Sequence, residues 1–272
     1  MFELVIKSNR RNTMQAIGLK RETFFEGILQ HAIPEYDVKL PIFYYDNTSM
    51  TAIYTAPTSK MRAHLPSDAL HPVEIYPGRC LAALSAFEYR KTDIGPYNEF
   101  SLATLVTYGR PGLAGLSLAK AMLTNEVHVY ILSLPVDSEV ARRGGVELAG
   151  YPKFMADITW TSDDRSLSCQ VATQGKPLVR VTGRKLATSK GPLMHTTIYT
   201  KLRDCLLKAN LYIDPQKFAQ SFNPKSASIE IGTGHELCDL LKDLQLSKTP
   251  LAYQYSPLSR AILFNSKNII DI

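Results

Sequence analysis

Two apolar runs, CLAALSAFEY at 80–89 and YNEFSLATLVTY at 97–108, flank a polar turn containing Thr92-Asp93-Ile94-Gly95-Pro96. No other feature restricts the fold as much. Runs of this length bounded by turn residues read as an antiparallel hairpin. Shorter strand-like runs recur on both sides of it. Leu40 to Tyr45 and Met50 to Tyr54 read as two strands around a turn at Asp46-Asn47-Thr48, and Val127 to Leu134 as a further strong strand. Phe154 to Thr161, Leu167 to Ala172 and Leu178 to Leu186 continue the pattern, and Leu251 to Tyr255 and Ala261 to Phe264 close it.

Helices are fewer and shorter. Pro57 opens one over Thr58 to Leu65 that Pro66 ends, Leu113 to Leu123 suits another, and Asp137 or Ser138 caps a third. Gly234-His235-Glu236 opens a fourth that runs to about Leu244. Strands joined mostly by turns argue against a doubly wound parallel sheet. The expected fold is mainly β (a β-rich α+β chain): one antiparallel, barrel-like domain over residues 35–272 with peripheral helices. Residues 1–34 are expected as a helical extension, because Phe24, Phe25, Ile28 and Leu29 fall on one helical face ahead of Pro34.

The hydrophobic fraction of 45% over 272 residues is ample for a sizeable core. A net charge of +6 raises nucleic acid as a partner. The basic residues are scattered, however, with Arg10-Arg11 and Arg142-Arg143 as isolated pairs and no basic-aromatic or zinc-finger spacing. The expectation is therefore no nucleic acid and no membrane partner. Cys80, Cys169, Cys205 and Cys238 lie far apart without a CxxC pair, which favours reduced thiols. The run Met1-Phe2-Glu3-Leu4-Val5-Ile6-Lys7 meets charge before it builds a signal-peptide core, and no stretch approaches the roughly 20 apolar residues of a membrane span. A soluble, cytoplasmic protein is expected. The modest charged fraction of 21% suits a homo-oligomer.

Two residues invite chemistry. Lys153 follows a rigid Tyr151-Pro152 step and precedes Phe154, Met155 and Ala156. It reads either as a strand-start lysine that carries its ammonium to solvent or as an amine nucleophile held in an apolar pocket. The second role demands a neutral amine. An ordinary lysine has a pKa of about 10.4, so half-neutralising one at pH 7 requires about 4.6 kcal/mol, which burial can supply. Glu99 begins an apolar strand, where alternation puts Tyr97, Glu99 and Ser101 on one face and Asn98, Phe100 and Leu102 on the other. It is either an exposed strand-end carboxylate or a buried proton carrier.

These two segments, in this order, carry a resemblance. Gly145-Val146-Glu147-Leu148-Ala149-Gly150-Tyr151-Pro152-Lys153 is similar to the Gly-Arg-Glu-x-x-x-Tyr-Pro-Lys segment of the acetoacetate decarboxylase family, whose lysine forms a Schiff base. Gly95-Pro96-Tyr97-Asn98-Glu99 resembles its Gly-x-Tyr-x-Glu segment, and Ile53-Tyr54 with Met61 to Pro66 resembles its opening strand and helix. The resemblance covers about residues 40 to 185. It implies a β-barrel lyase that decarboxylates acetoacetate or a related β-keto acid through an imine on Lys153. Glu99 would move the proton, and Tyr97, Tyr151 and Phe154 would stand against the substrate. No metal or organic cofactor is implied; the partner is a small keto acid. An aldolase or dehydratase using the same imine, and a ligand-binding barrel without catalysis, are the alternatives.

The chain departs from the family pattern in three places. Phe154 stands where the decarboxylase has a second lysine, so burial against Phe154 is expected to replace a neighbouring charge. No arginine stands at the Asp46-Asn47-Thr48 position, leaving Arg62, Arg79 or Arg142 as candidates to hold the substrate carboxylate. A further family glutamate falls near Leu84.

Overall fold

The computed structural model describes residues 19–272. Among the described residues sixteen strands run in chain order: β1 (His31–Ile33), β2 (Val38–Leu40), β3 (Ile42–Pro57), β4 (Leu70–Pro72), β5 (Glu74–Tyr76), β6 (Arg79–Thr92), β7 (Tyr97–Tyr108), β8 (Glu126–Ser133), β9 (Asp157–Ser162), β10 (Ser166–Thr173), β11 (Lys176–Arg184), β12 (Met194–Leu202), β13 (Cys205–Ser221), β14 (Ala227–Ile231), β15 (Ala252–Leu263) and β16 (Lys267–Asp271). The described helices are α1 (Thr58–Arg62), α2 (Leu116–Thr124), α3 (Glu139–Ala149) and α4 (Glu236–Asp243). None is long and apolar enough to cross a membrane.

Seven strands close a barrel in the order β7-β8-β12-β13-β15-β3-β6, and the β6–β7 hairpin completes the ring. Every pairing is antiparallel except β8 with β12. The predicted hairpin runs in register from Ala82↔Thr104 to Tyr89↔Tyr97, and Gly95 takes a positive φ of 84° in its turn. A second sheet, β14-β11-β10-β9, packs on the outside of the barrel. The main core lies between them. Met50 and Tyr54 of β3, Leu84 of β6 and Phe100 and Leu102 of β7 meet Val171, Val181 and Leu241 there. That explains the near-continuous apolar texture of β7: one face packs under the second sheet while the other faces the barrel interior.

Two expected strand pairs are single long strands. β3 runs through Asp46-Asn47-Thr48, and its partner β15 runs through Ser256 to Ser259, with facing register shifts in both. The polar residues that resemble a turn are bulge residues. Asn47 is buried and donates from Nδ2 to the Ser259 carbonyl at 3.0 Å, while Ser259 Oγ donates back to Asn47 Oδ1 at 2.6 Å. A bulge leaves groups outside the ladder, and this side-chain exchange satisfies them. β12, β13 and β14 are not legible in the sequence. Pro215 sits inside β13 at another register shift, and a proline inside a run argues against a strand.

The expected helical extension over 1–34 lies outside the described residues for its first eighteen. Within them, 21–27 form turns, and Pro34–Tyr36 make a 3-10 turn between β1 and β2. The aromatic residues bind tertiary partners instead of sharing a helical face. Phe24 is buried beside Phe43, Tyr212 and Ile262, whereas Leu29 is 79% exposed. Gly27 at φ 72° breaks the turn. The fully buried Asp214 carboxylate draws in Arg21 at 3.4 Å and Arg260 at 2.9 Å, and the Arg260 guanidinium stacks over Phe24. The segment is thereby fixed to the barrel wall. No two of the four cysteines are bonded, and Cys80, Cys169 and Cys238 are buried.

Candidate active site

Lys153 and Glu99 meet inside the barrel. Lys153 Nζ donates to Glu99 Oε2 at 2.9 Å, with the two side chains only 7% and 9% exposed. Local sequence builds this contact from both sides. Ser138 caps α3 by accepting from Ala141 N–H, and Asp137 ties the helix entrance to β7 by accepting from the backbone and side-chain N–H groups of Asn98 at 2.7 Å. The helix ends at Gly150 in left-handed geometry with φ 62°, where an added Cβ would lie 2.5 Å from the Lys201 carbonyl oxygen. Only glycine fits there. The chain then turns through Tyr151-Pro152 and runs alongside 134–136. Leu134 N–H donates to Pro152 O, Val136 N–H to Phe154 O, and Ala156 N–H to Val136 O. Val136 also bridges Glu99. It is this shared neighbour that brings the two segments, 54 residues apart, side by side.

Alternation along the lysine segment sends Tyr151 and Lys153 to the interior and Phe154 to the other side. Phe154 packs against the main core and lies tilted against His235 with ring centroids 4.9 Å apart; it lines a separate groove with Met155 and Gly234. The expectation that Phe154 shields the lysine and touches its substrate is therefore corrected. Room for the lysine comes from Gly145 of α3, where a Cβ would approach Lys153 Cδ to 2.7 Å and Cε to 2.8 Å.

Tyrosines surround the pair. Tyr89 donates its hydroxyl to Glu99 Oε1 at 3.3 Å, so both carboxylate oxygens have partners. The rings of Tyr97 and Tyr151 lie 5.8 and 5.6 Å from the ammonium, within cation–π range. Tyr97 donates to the Tyr44 hydroxyl at 3.4 Å, and Tyr89 packs 4.7 Å from both rings. Burial, followed by the nearby Glu99 charge, pushes the Tyr89 and Tyr97 phenols well up; Tyr44 and Tyr151 are raised by burial as the first cause as well. All four stay neutral hydrogen-bond donors. The Tyr151 hydroxyl is buried and has no hydrogen-bond partner among the described residues.

Lys153 stands in the wall of a cavity of about 170 Å³. Val38, Leu40, Ile42, Ile94, Leu148 and Leu263 make its apolar walls, Tyr44, Tyr97 and Tyr151 its polar points, and exposed Asn265 marks where it opens. None of the three candidate arginines lines it. Arg62 binds Asp68 and the Leu70 carbonyl, Arg79 donates to Thr55 Oγ1, and Arg142 pairs with Glu139 on the outer face of α3. Leu84, at the place of the further family glutamate, is in the apolar core. Sequence reasoning missed Tyr89 and Tyr44, because tyrosines in strands read first as packing residues. Their offsets from Glu99 become informative only with the β6–β7 and β3–β6 registers in hand.

Fold and site together define a closed β-barrel protein that holds a buried lysine–glutamate pair beside an apolar internal cavity. A sequence model of the Acetoacetate decarboxylase (ADC) family matches residues 30–200. The chain belongs to the acetoacetate decarboxylase family. Comparison with curated protein sequences gives no match.

Solved structures share its fold. Acetoacetate decarboxylase from Legionella pneumophila subsp. pneumophila str. Philadelphia 1 is 15% identical, with a TM-score of 0.64 over 92% of this chain and 94% of that one. The enduracididine biosynthesis enzyme MppR, complexed with pyruvate, is 12% identical with a TM-score of 0.60 over 86% and 92%. An acetoacetate decarboxylase-like enzyme from Sphingomonas wittichii RW1 is 15% identical with a TM-score of 0.54 over 86% and 95%.

Proposed function

We propose that the chain is a Schiff-base-forming lyase that decarboxylates a β-keto acid through an imine on Lys153. The observation that carries this reading is the 2.9 Å Lys153–Glu99 hydrogen bond beside an apolar cavity. Across that bond the ammonium passes one proton to Glu99 and becomes a nucleophilic amine. The amine adds to the ketone carbon, and Glu99 returns the proton to the departing hydroxyl, so that water leaves and an iminium remains. The bond to the carboxylate then breaks. Its electron pair moves into the iminium, giving carbon dioxide and a neutral enamine. Glu99, reprotonated from solvent, protonates the enamine carbon, and water hydrolyses the new iminium to release the ketone. The overall reaction consumes one proton.

Two further observations support this assignment. The Tyr97 and Tyr151 rings beside Nζ stabilise a cation there throughout the cycle. The unpartnered Tyr151 hydroxyl is a donor suited to the substrate carboxylate. A carboxylate held by a phenol among apolar walls gains by losing its charge as carbon dioxide departs.

A second reading keeps the imine and replaces decarboxylation by an aldol or dehydration step. The absence of arginine among the described cavity residues supports it, as does the likeness to MppR, whose structure holds pyruvate. Borohydride trapping during incubation with acetoacetate and a panel of keto acids tests both. Label on Lys153 that disappears in Lys153→Ala is the expected result, and carbon dioxide release then separates the two readings. A panel that leaves no label on Lys153 would sink both.

A further inference from the structure

We infer that the Lys153 cavity selects β-keto acids whose group beyond the ketone is a short hydrocarbon chain, in preference to acetoacetate and to dicarboxylic keto acids. The inference rests on the imine reading and concerns what else the site holds. Lys153 is the one charged side chain among the described residues that line the cavity. Once it is bonded to the ketone carbon, no cation is left for a second carboxylate. The buried polar points are few as well: the Tyr44 and Tyr97 hydroxyls bind each other, and among the buried hydroxyls of this wall only that of Tyr151 awaits a partner. That is enough for the one carboxylate that leaves.

Asn265 and Ser266 line the opening, and the remaining walls are hydrocarbon. Val38, Leu40 and Ile42 come from β2 and β3, Ile94 from the β6–β7 turn, Leu148 from α3 and Leu263 from the end of β15. An apolar cavity of about 150 Å³ takes up benzene, six carbons. The present cavity, at about 170 Å³ and open near Asn265, holds imine-bound acetoacetate, also six non-hydrogen atoms. The apolar wall toward the opening is then left uncovered. Two or three more methylene groups would cover it. Each methylene removed from water corresponds to about fourfold in binding, so two give about fifteenfold. A carboxylate in the same place would lie against these apolar walls with no cation beside it, which costs more than leaving it in water.

Gly144 provides a graded test of this wall. It lines the cavity on α3, and an added Cβ there meets Val38 Cγ1 at 3.5 Å, an ordinary contact. Gly144→Ala therefore narrows the space by a methyl group while favouring the helix.

The experiment measures carbon dioxide release from acetoacetate, 3-oxohexanoate and 3-oxoglutarate, corrected with Lys153→Ala for spontaneous loss, alongside borohydride trapping of each. The expected kcat/KM for 3-oxohexanoate is about fifteenfold above acetoacetate and about a hundredfold or more above 3-oxoglutarate. In Gly144→Ala, with an unchanged melting profile as the control for folding, the chain-length ratio falls below about fivefold. A ratio that is flat or inverted in the wild type, or faster turnover of 3-oxoglutarate, overturns the inference while a Lys153 adduct leaves the imine reading standing. An unchanged ratio in Gly144→Ala overturns the assignment of this wall. Failure to trap any of the three acids overturns both.

Discussion

Replacing Glu99 by Gln preserves the shape of the site and removes one charge. Lys153 is then left with its ammonium 7% exposed and no anion beside it. Removing one partner of a buried pair costs about 3–5 kcal/mol, because the survivor stays desolvated. The lysine has one escape, which is to release its proton. Relative to an ordinary lysine in the unfolded chain, that release costs about 4.6 kcal/mol at pH 7 and about 1.9 kcal/mol at pH 9. The destabilisation is capped by this figure, so it must shrink by about 1.4 kcal/mol per pH unit.

The sign follows from proton counting. To the extent that the folded variant releases a lysine proton that the unfolded chain keeps, folding gains as pH rises toward about 10.4. For a chain of this length about 1 kcal/mol moves the melting temperature by about 2 °C, so Glu99→Gln should melt roughly 6–10 °C below wild type at pH 7. The gap should close to about 4 °C or less at pH 9. Paired calorimetric scans of both proteins at pH 7, 8 and 9 provide the measurement. Adding Lys153→Met to Glu99→Gln should recover most of the loss, since no unpaired charge remains. Equal melting temperatures at pH 7, or a gap that does not narrow with pH, would show that the pair is not desolvated as described.

Two other expectations follow from the same geometry. Gly145→Ala puts a methyl 2.7 Å from Lys153 Cδ and forces the lysine off its line to Glu99. A misplacement of about 1 Å can cost about a hundredfold in rate, whereas helix stability gains by up to about 1 kcal/mol. Slow adduct formation is the expected result, and an undiminished trapping rate counts against it. The raised Tyr44, Tyr89, Tyr97 and Tyr151 phenols should remain protonated at pH 11, so a Tyr151→Phe variant should leave the native 295 nm absorbance at that pH unchanged. Raised groups contribute stability that is present below an unfolded value of about 10 and is lost as pH rises above it, so alkaline melting should steepen there. A drop in absorbance on substituting Tyr151 refutes the neutral assignment.

The sequence by itself carried the β-rich texture and the β6–β7 hairpin. It carried the faces of β7 too, because alternation is a local property of extended chain. It also marked the Tyr151-Pro152-Lys153 step and Glu99 as chemically unusual. Alternation applied to Lys153 and Phe154 sends them to opposite sides, whereas nearness in sequence alone suggests that Phe154 shields the lysine.

Other features had no local signal at all. Lys153 reaches Glu99 because both flank Val136, a pairing made by chain that is remote from each. β12 and β13 close the barrel through a proline-containing strand whose bulges are stabilised only by their partners. The charge of the cavity wall was likewise a matter of tertiary structure. Arg62, Arg79 and Arg142 all stand in the sequence, and each is occupied elsewhere. Local geometry determines how a residue can point; only the packed barrel decides what it meets there.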